Sequence, residues 1–206
     1  MKNLVEKLIA DGYLKTPAVI EALQQVKRAD FMPDDMVDQA DFDVPLPIGH
    51  DQTISQPFTI GFMLETLQPK AGQKVLDVGS GSGWTTALLA AIVGPSGKVY
   101  GIERIKALKE FGEKNIAKYK FNNVEVVYGD GTKGLPPAAP FDRIMVSAAA
   151  FRIPAALKEQ LAVGGRMIIP TEAQDLRMIE RVSEKEFNET IHRGFLFVPL
   201  IEGKTD

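Results

Sequence analysis

The stretch Asp77-Val78-Gly79-Ser80-Gly81-Ser82-Gly83-Trp84 constrains the fold of this chain more than any other. Before it stands a short apolar run, Val75-Leu76-Asp77-Val78, and after it Thr85–Val93 has the composition of a buried helix. A strand, a glycine turn and a helix in that order place a ligand site at the carboxyl edge of an open parallel sheet. The glycines let ligand atoms approach the backbone closely.

The rest of the chain continues the alternation. Lys98–Ile102 reads as a strand, Ile105–Tyr119 as a helix, Val124–Tyr128 as a third strand and Phe141–Val146 as a fourth. Pro154–Leu161 reads as a helix and Gly165–Ile169 as a fifth strand. This is the signature of βαβ units with parallel strands. Between Arg177 and Arg193, two β-like runs separated by Ser183-Glu184-Lys185 predict an antiparallel edge hairpin.

Upstream, two short helices are expected between residues 3 and 28. Leu4, Val5, Leu8 and Ile9 recur at helical spacing, Asp11-Gly12 breaks the pattern, and Thr16-Pro17 reads as an N-cap with proline at the first helical position. From Phe31 to Gln56 periodicity disappears and prolines accumulate, so a long ordered connection is expected in place of helix or strand. Ser55 then reads as the N-cap of a helix ending before Pro69. The expectation is an α/β, doubly wound, mostly parallel sheet with an N-terminal helical cap, in one domain over 1–206: residues 1–56 form helices and an ordered active-site loop, and 57–206 the sheet that carries the ligand site.

Composition narrows the chemistry. The chain of 206 residues has no cysteine and two histidines, His50 and His192, so thiolate catalysis, disulfides and zinc-thiolate or histidine metal sites are not expected. A formal net charge of −3 without a basic block argues against nucleic acid and anionic membranes as partners. Neither a signal peptide nor an apolar stretch long enough to span a bilayer is visible, so a cytoplasmic location is expected.

The glycines at 79, 81 and 83, followed by Trp84, do not fit the spacing of the dinucleotide motif, and no P-loop Gly-Lys-Ser/Thr follows. Glu103 ends the second predicted strand, where a carboxylate can accept both hydroxyls of a ribose, though the same residue could cap the following helix. Asp130, in Tyr128-Gly129-Asp130-Gly131, follows the third and could equally be a turn aspartate. Asp77, Glu103 and Asp130 thus stand at the carboxyl ends of three consecutive parallel strands.

The turn with its preceding acid resembles the first motif of class I S-adenosylmethionine-dependent methyltransferases. The segment Pro45-Leu46-Pro47-Ile48-Gly49-His50-Asp51-Gln52-Thr53-Ile54-Ser55-Gln56-Pro57 is similar to the substrate loop of protein-L-isoaspartate O-methyltransferases. The similarity runs from Arg28-Ala29-Asp30-Phe31-Met32-Pro33 through Phe141–Ala149 and Ile153–Leu161 to Gly164–Pro170, with Gln52–Pro57 its most specific part. The chain departs from that pattern at His50-Asp51, where a glycine pair is common, and at Thr171-Glu172.

The resemblance implies methyl transfer from S-adenosyl-L-methionine, with S-adenosyl-L-homocysteine as product, to the free carboxylate of isoaspartyl residues in damaged proteins. It implies Ser55 as the active-site residue; Thr53, Ile54, Asp77, Gly79, Gly81, Gly83, Glu103, Asp130 and Gly131 at the cofactor, with Asp77 beneath its methionine part and Asp130 at the adenine amino group; and Ser55, Gln56 and Pro57 at the substrate. A monomer is expected. Rival readings are a methyltransferase of the same fold acting on a small molecule or RNA, a silent cofactor-binding module, and a nicotinamide oxidoreductase.

Overall fold

The computed structural model describes residues 1–205. A seven-stranded sheet runs through it in the order β5-β4-β3-β6-β7-β8-β9. Its strands are β3 (Lys74–Val78), β4 (Lys98–Glu103), β5 (Val124–Tyr128), β6 (Phe141–Val146), β7 (Leu161–Thr171), β8 (Asp175–Arg181) and β9 (Phe187–Arg193). β3 to β7 are mutually parallel, while β8 and β9 add on antiparallel. The order reverses at β3, which has β4 on one side and β6 on the other, and a doubly wound sheet opens its binding crevice at such a reversal.

Strand parity explains the two layers. Val75, Val99, Met145 and Ile168 pack on one face with helices α2 (Pro17–Gln25), α3 (Pro57–Leu67) and α4 (Trp84–Val93). Leu76, Val78, Ile144, Val146, Met167 and Ile169 pack on the other with Leu157 of the short helix α6 (Ala155–Glu159). Side chains that alternate while both faces are covered give the continuous apolar runs by which these strands are legible. α4 is buried along nearly its whole length between the sheet and α2. α1 (Lys2–Ala10) and α2 complete the N-terminal cap, and no helix among the described residues is long and apolar enough to cross a membrane.

Several expectations shift. Helix α5 is Lys106–Ile116 and tightens into a 3-10 turn at Ala117–Tyr119. β7 starts at Leu161, because a register irregularity between Phe141 and Arg143 brings Leu161 into pairing ahead of the main ladder. Thr16 occupies the N-cap position of α2, yet its hydroxyl donates to the Glu65 carboxylate at 2.7 Å instead of capping the helix.

The connection from Phe31 to Gln56 holds more regular structure than its sequence predicts. Arg28–Phe31 and Asp34–Gln39 are 3-10 turns, and β1 (Leu46–Gly49) pairs antiparallel with β2 (Gln52–Ile54). His50 and Asp51 form its two-residue tip, both left-handed at φ 54° and 56°. That tip geometry suits hairpin twist but is comfortable mainly for Gly, Asn and Asp, so Asp51 fits it while His50 breaks the turn signal. The N-cap of α3 is Gln56, one residue after the expected Ser55.

Candidate functional site

The glycine turn passes from β3 over the carboxyl edge of the sheet. Ser80 N–H and Gly79 N–H both donate to the Ile102 carbonyl of β4, which folds the turn back on the neighbouring strand. Helix α5 braces it from outside: Asn115 Nδ2 donates to the Ser82 carbonyl at 3.1 Å, and a side chain at Gly112 would come within 2.9 Å of the Gly81 carbonyl. Gly83, at φ 90°, turns the chain into α4, where a Cβ would press on the Ile116 side chain.

Two hollows adjoin this turn. The inner cleft is lined by Ile48 and Gln52 to Ser55 from the hairpin, by Val78 to Ser82, Trp84 and Thr85, by Ile102 to Ile105 and Gly131, and by Val198 to Ile201. The outer hollow, about 730 Å³, lies between Ser55, Gln56, Phe58 and Thr59 and the segment Arg193 to Val198. Thr53, Ser55, Ser147 and Val198 line both. Ser55 therefore stands where the two meet.

Glu103 lies in the cleft, 5% exposed, with each carboxylate oxygen accepting one backbone amide at 2.9 Å: Oε2 from Gly81 and Oε1 from Ile105. Glu103 therefore does not cap α5, whose N-cap is Ile105 and carries no side-chain cap; it ties the glycine turn to the residue before that helix, and each oxygen keeps a lone pair for a further donor.

Asp77 is fully buried and lies under the turn without lining the cleft. Its Oδ2 accepts the hydroxyls of Thr85 at 2.8 Å and Thr86 at 2.6 Å, whereas Oδ1 has no hydrogen-bond partner among the described residues. Burial pushes its carboxyl up to about 6, against the two threonine hydroxyls, and the nearby Glu103 charge adds to the push. A buried carboxylate with one oxygen unpaired is costly unless a positive group compensates it.

Asp130 caps a short 3-10 turn at Gly131–Lys133, accepting the Thr132 amide at 3.0 Å and hydroxyl at 2.7 Å, and the Gly203 amide. Partial burial alone would raise its pKa, but those bonds and the Lys133 charge hold it below the usual carboxylate value. Its neighbour Gly131, and not Asp130, lines the cleft.

Of the residues expected at the cofactor, Thr53, Ile54, Gly79, Gly81, Glu103 and Gly131 thus share the inner cleft, together with Ser55, while Asp77 and Gly83 support it from behind. Gln56 lines the outer hollow; Pro57 lines neither and begins α3.

Ser147 was legible by position, since it follows β6 at the same sheet edge, but its residue type carries no signal. The tail residues Val198 to Ile201 gave none: they form apolar coil, tied down by exchange of backbone hydrogen bonds between Ala149 and residues 198 and 200. Arg104 holds the tail further on, through the Gly203 carbonyl and the Thr205 hydroxyl.

A cationic, nucleoside-bearing cofactor fits this donor set. Buried polar atoms that lack partners among the described residues, Asp77 Oδ1, Ser80 Oγ and Ser147 Oγ, surround the turn, and apolar Ile102 and Ile105 flank the Glu103 carboxylate.

The family model described as protein-L-isoaspartate(D-aspartate) O-methyltransferase (PCMT) matches residues 1–205. The protein-L-isoaspartate O-methyltransferase of Methanopyrus kandleri is 45% identical over 204 residues, 97% of this chain and 90% of its own. That of Aeropyrum pernix is 48% identical over 203 residues, 97% of this chain and 78% of its own. A crystal structure of a Plasmodium falciparum putative protein-L-isoaspartate O-methyltransferase in complex with S-adenosyl-L-homocysteine superposes with a TM-score of 0.87 at 28% identity, covering 97% of both chains.

Proposed function

The chain belongs to the protein-L-isoaspartate(D-aspartate) O-methyltransferase family, and on that premise we propose that its inner cleft holds S-adenosyl-L-methionine, its outer hollow holds an isoaspartyl peptide, and Ser55 serves the transfer between them. The observation that carries this reading is that Thr53, Ser55, Ser147 and Val198 line both hollows.

The bound cofactor supplies a methyl group on a positive sulfonium. The acceptor is an α-carboxylate with a solution pKa of roughly 3.3–3.9, already ionised at neutral pH, so the protein needs no general base. Its work is alignment and removal of water. Ser55 hydroxyl donates a hydrogen bond that orients the carboxylate without neutralising it. Glu103 uses its free lone pairs on the ribose hydroxyls, and Asp77, through the turn, offsets the positive charge of the methionine part. Ile48, Ile54, Val198, Leu200 and Ile201 close the cleft with apolar surface.

The product is a methyl ester, from which the following backbone nitrogen can expel methanol to close a succinimide ring. Hydrolysis of that ring returns part of the material to normal aspartyl linkage, which is the logic of protein repair.

We read residues 1–206 as one methyltransferase domain, acting as a cytoplasmic monomer. Support comes from a core that joins the N-terminal helices to the sheet, with Val5, Leu23, Leu64, Val75 and Leu89 in one cluster. The net charge of −3 favours protein over nucleic-acid substrates.

The test is transfer of tritium from S-[methyl-³H]adenosylmethionine to a synthetic isoaspartyl peptide, with the matched L-aspartyl peptide as control. Base-labile label on the isoaspartyl peptide alone is the expected result. Label on neither peptide, with the cofactor bound, would shift the reading to a methyltransferase with another substrate or to a silent cofactor-binding module.

A further inference from the structure

Arg28 is an arginine with no solvent exposure, and its partners are unusual for a buried charge. Its Nη1 donates to the carbonyls of Ala40 at 3.2 Å and Phe42 at 3.0 Å. Its Nη2 reaches the carbonyls of Val44 at 2.7 Å, Ile54 at 3.4 Å and Ser55 at 3.1 Å. Five carbonyls from both ends of the loop therefore converge on one guanidinium. The cation also lies over the Trp84 ring, 5.6 Å from its centroid, and Trp84 begins the helix that leaves the glycine turn.

Asp43 adds a second fastening. Its Oδ1 accepts the Phe58 amide of α3 at 2.8 Å, and its charge, with that of Asp41, favours the cationic form of the guanidinium. Burial pulls Arg28 down to about 10 while those two carboxylates pull upward, so the group stays cationic at neutral pH. Lysine could not replace it: one ammonium has three donors at a point, whereas the planar fork reaches carbonyls spread along two strands of loop.

The loop so held carries Ile48, Thr53 and Ser55, which line the inner cleft, and the Ser55 carbonyl is itself one of the acceptors. We propose that Arg28, assisted by Asp43, is a positioning residue for methyl transfer: it fixes residues 40–55 in the one conformation that sets the Ser55 hydroxyl at the junction of the two hollows. The proposal rests on the reading of Ser55 given above, and wild-type activity tests that reading separately.

The experiment compares wild type with Arg28→Lys, Arg28→Met and Asp43→Ala. Arg143→Lys serves as the control, because Arg143 is also buried but bonds Gln68 and Asp142 at the opposite edge of the sheet. For each protein kcat and peptide KM are measured per folded molecule, and amide hydrogen exchange is followed in residues 40–56 and in β3. Both Arg28 variants are expected to lose at least tenfold in kcat/KM, with faster exchange in 40–56 and unchanged protection in β3. Arg143→Lys is expected to lose stability alone.

Wild-type rates per folded molecule in Arg28→Met would overturn the proposal. Should neither Arg28 variant fold, Asp43→Ala decides. Asp43 is a partly exposed surface residue, and an unaltered kcat/KM with unaltered loop exchange in that variant would equally overturn it. An inactive wild type would instead sink the reading of the site, leaving faster loop exchange as the measure of the Arg28 fastening.

Discussion

The Thr86 hydroxyl donates to Asp77 Oδ2 at 2.6 Å, while Oδ1 of the same carboxylate faces no partner among the described residues. The side chain is thus half satisfied, fully buried, and placed under the turn where the positive end of the cofactor would lie.

Its titration gives a pH prediction with a definite sign. The folded pKa of about 6 stands above the value of about 3.9 for an unfolded aspartate, so between these values the folded protein keeps a proton that the unfolded chain has released. Stability of the cofactor-free protein should fall as pH rises through that window, by on the order of 3 kcal/mol at most, and stay lowered above it. A bound cation favours the ionised form, so affinity for S-adenosyl-L-methionine should rise through pH 6, about tenfold between pH 5 and 7. Calorimetric titration at both pH values checks this. Asp77→Asn should flatten the dependence, and an equal slope in both proteins would remove Asp77 from cofactor binding.

Ser55→Ala should lower kcat roughly tenfold to a hundredfold, the scale of misaligning a reacting group, while cofactor affinity changes little. Because Gln56 and not Ser55 occupies the N-cap of α3, the variant should not show the loss of about 0.5–2 kcal/mol that removal of a capping serine brings. Denaturant unfolding and steady-state kinetics on one preparation separate the two effects. Loss of cofactor binding at equal stability would contradict the assignment.

Much of this site was legible because parallel strands force it. Val75–Val78, Lys98–Ile102 and Val124–Tyr128 announce themselves as buried runs, and their carboxyl ends deliver Asp77, Glu103 and Asp130 to one edge. What those acids bond to was not legible: Asp130 is engaged by the Gly203 amide, 73 positions away in sequence (203 − 130), and Asp77 by two hydroxyls on α4. The hairpin at Leu46–Ile54 was missed because His50 at the first tip position breaks the turn signal that Gly49 and Asp51 would otherwise give, and its strands hold two prolines at or beside them. The Arg28 fork was invisible for a different reason, since all its acceptors are main-chain carbonyls and carry no sequence identity.

That hairpin tip makes its own prediction. A residue other than Gly, Asn or Asp in the left-handed region costs on the order of 1 kcal/mol, and of the two tip residues His50, at φ 54°, is the one that carries this strain. His50→Gly should therefore raise stability by about 0.5–1 kcal/mol. A lower melting temperature would show that His50 makes an interaction outweighing its backbone strain.

Gly112 tests whether α5 truly braces the cofactor turn. It sits inside the helix Lys106–Ile116, where alanine is intrinsically better than glycine by about 0.8–1.0 kcal/mol, so propensity alone predicts that Gly112→Ala stabilises the protein. The packing predicts the reverse. A Cβ at 112 would lie 2.9 Å from the Gly81 carbonyl and 3.4 Å from the Gly83 amide, both backbone atoms of a turn that cannot yield without moving the cleft. Overpacking of this kind typically costs about 1–3 kcal/mol, enough to exceed the helix gain. The expected outcome is a net loss of stability together with weaker cofactor binding, since the displaced Gly81 amide also donates to Glu103. Unfolding and cofactor titration of Gly112→Ala read both quantities: a more stable protein with unchanged affinity would mean that the helix stands clear of the turn, whereas loss of both ties the outer layer of the fold to the cleft it encloses.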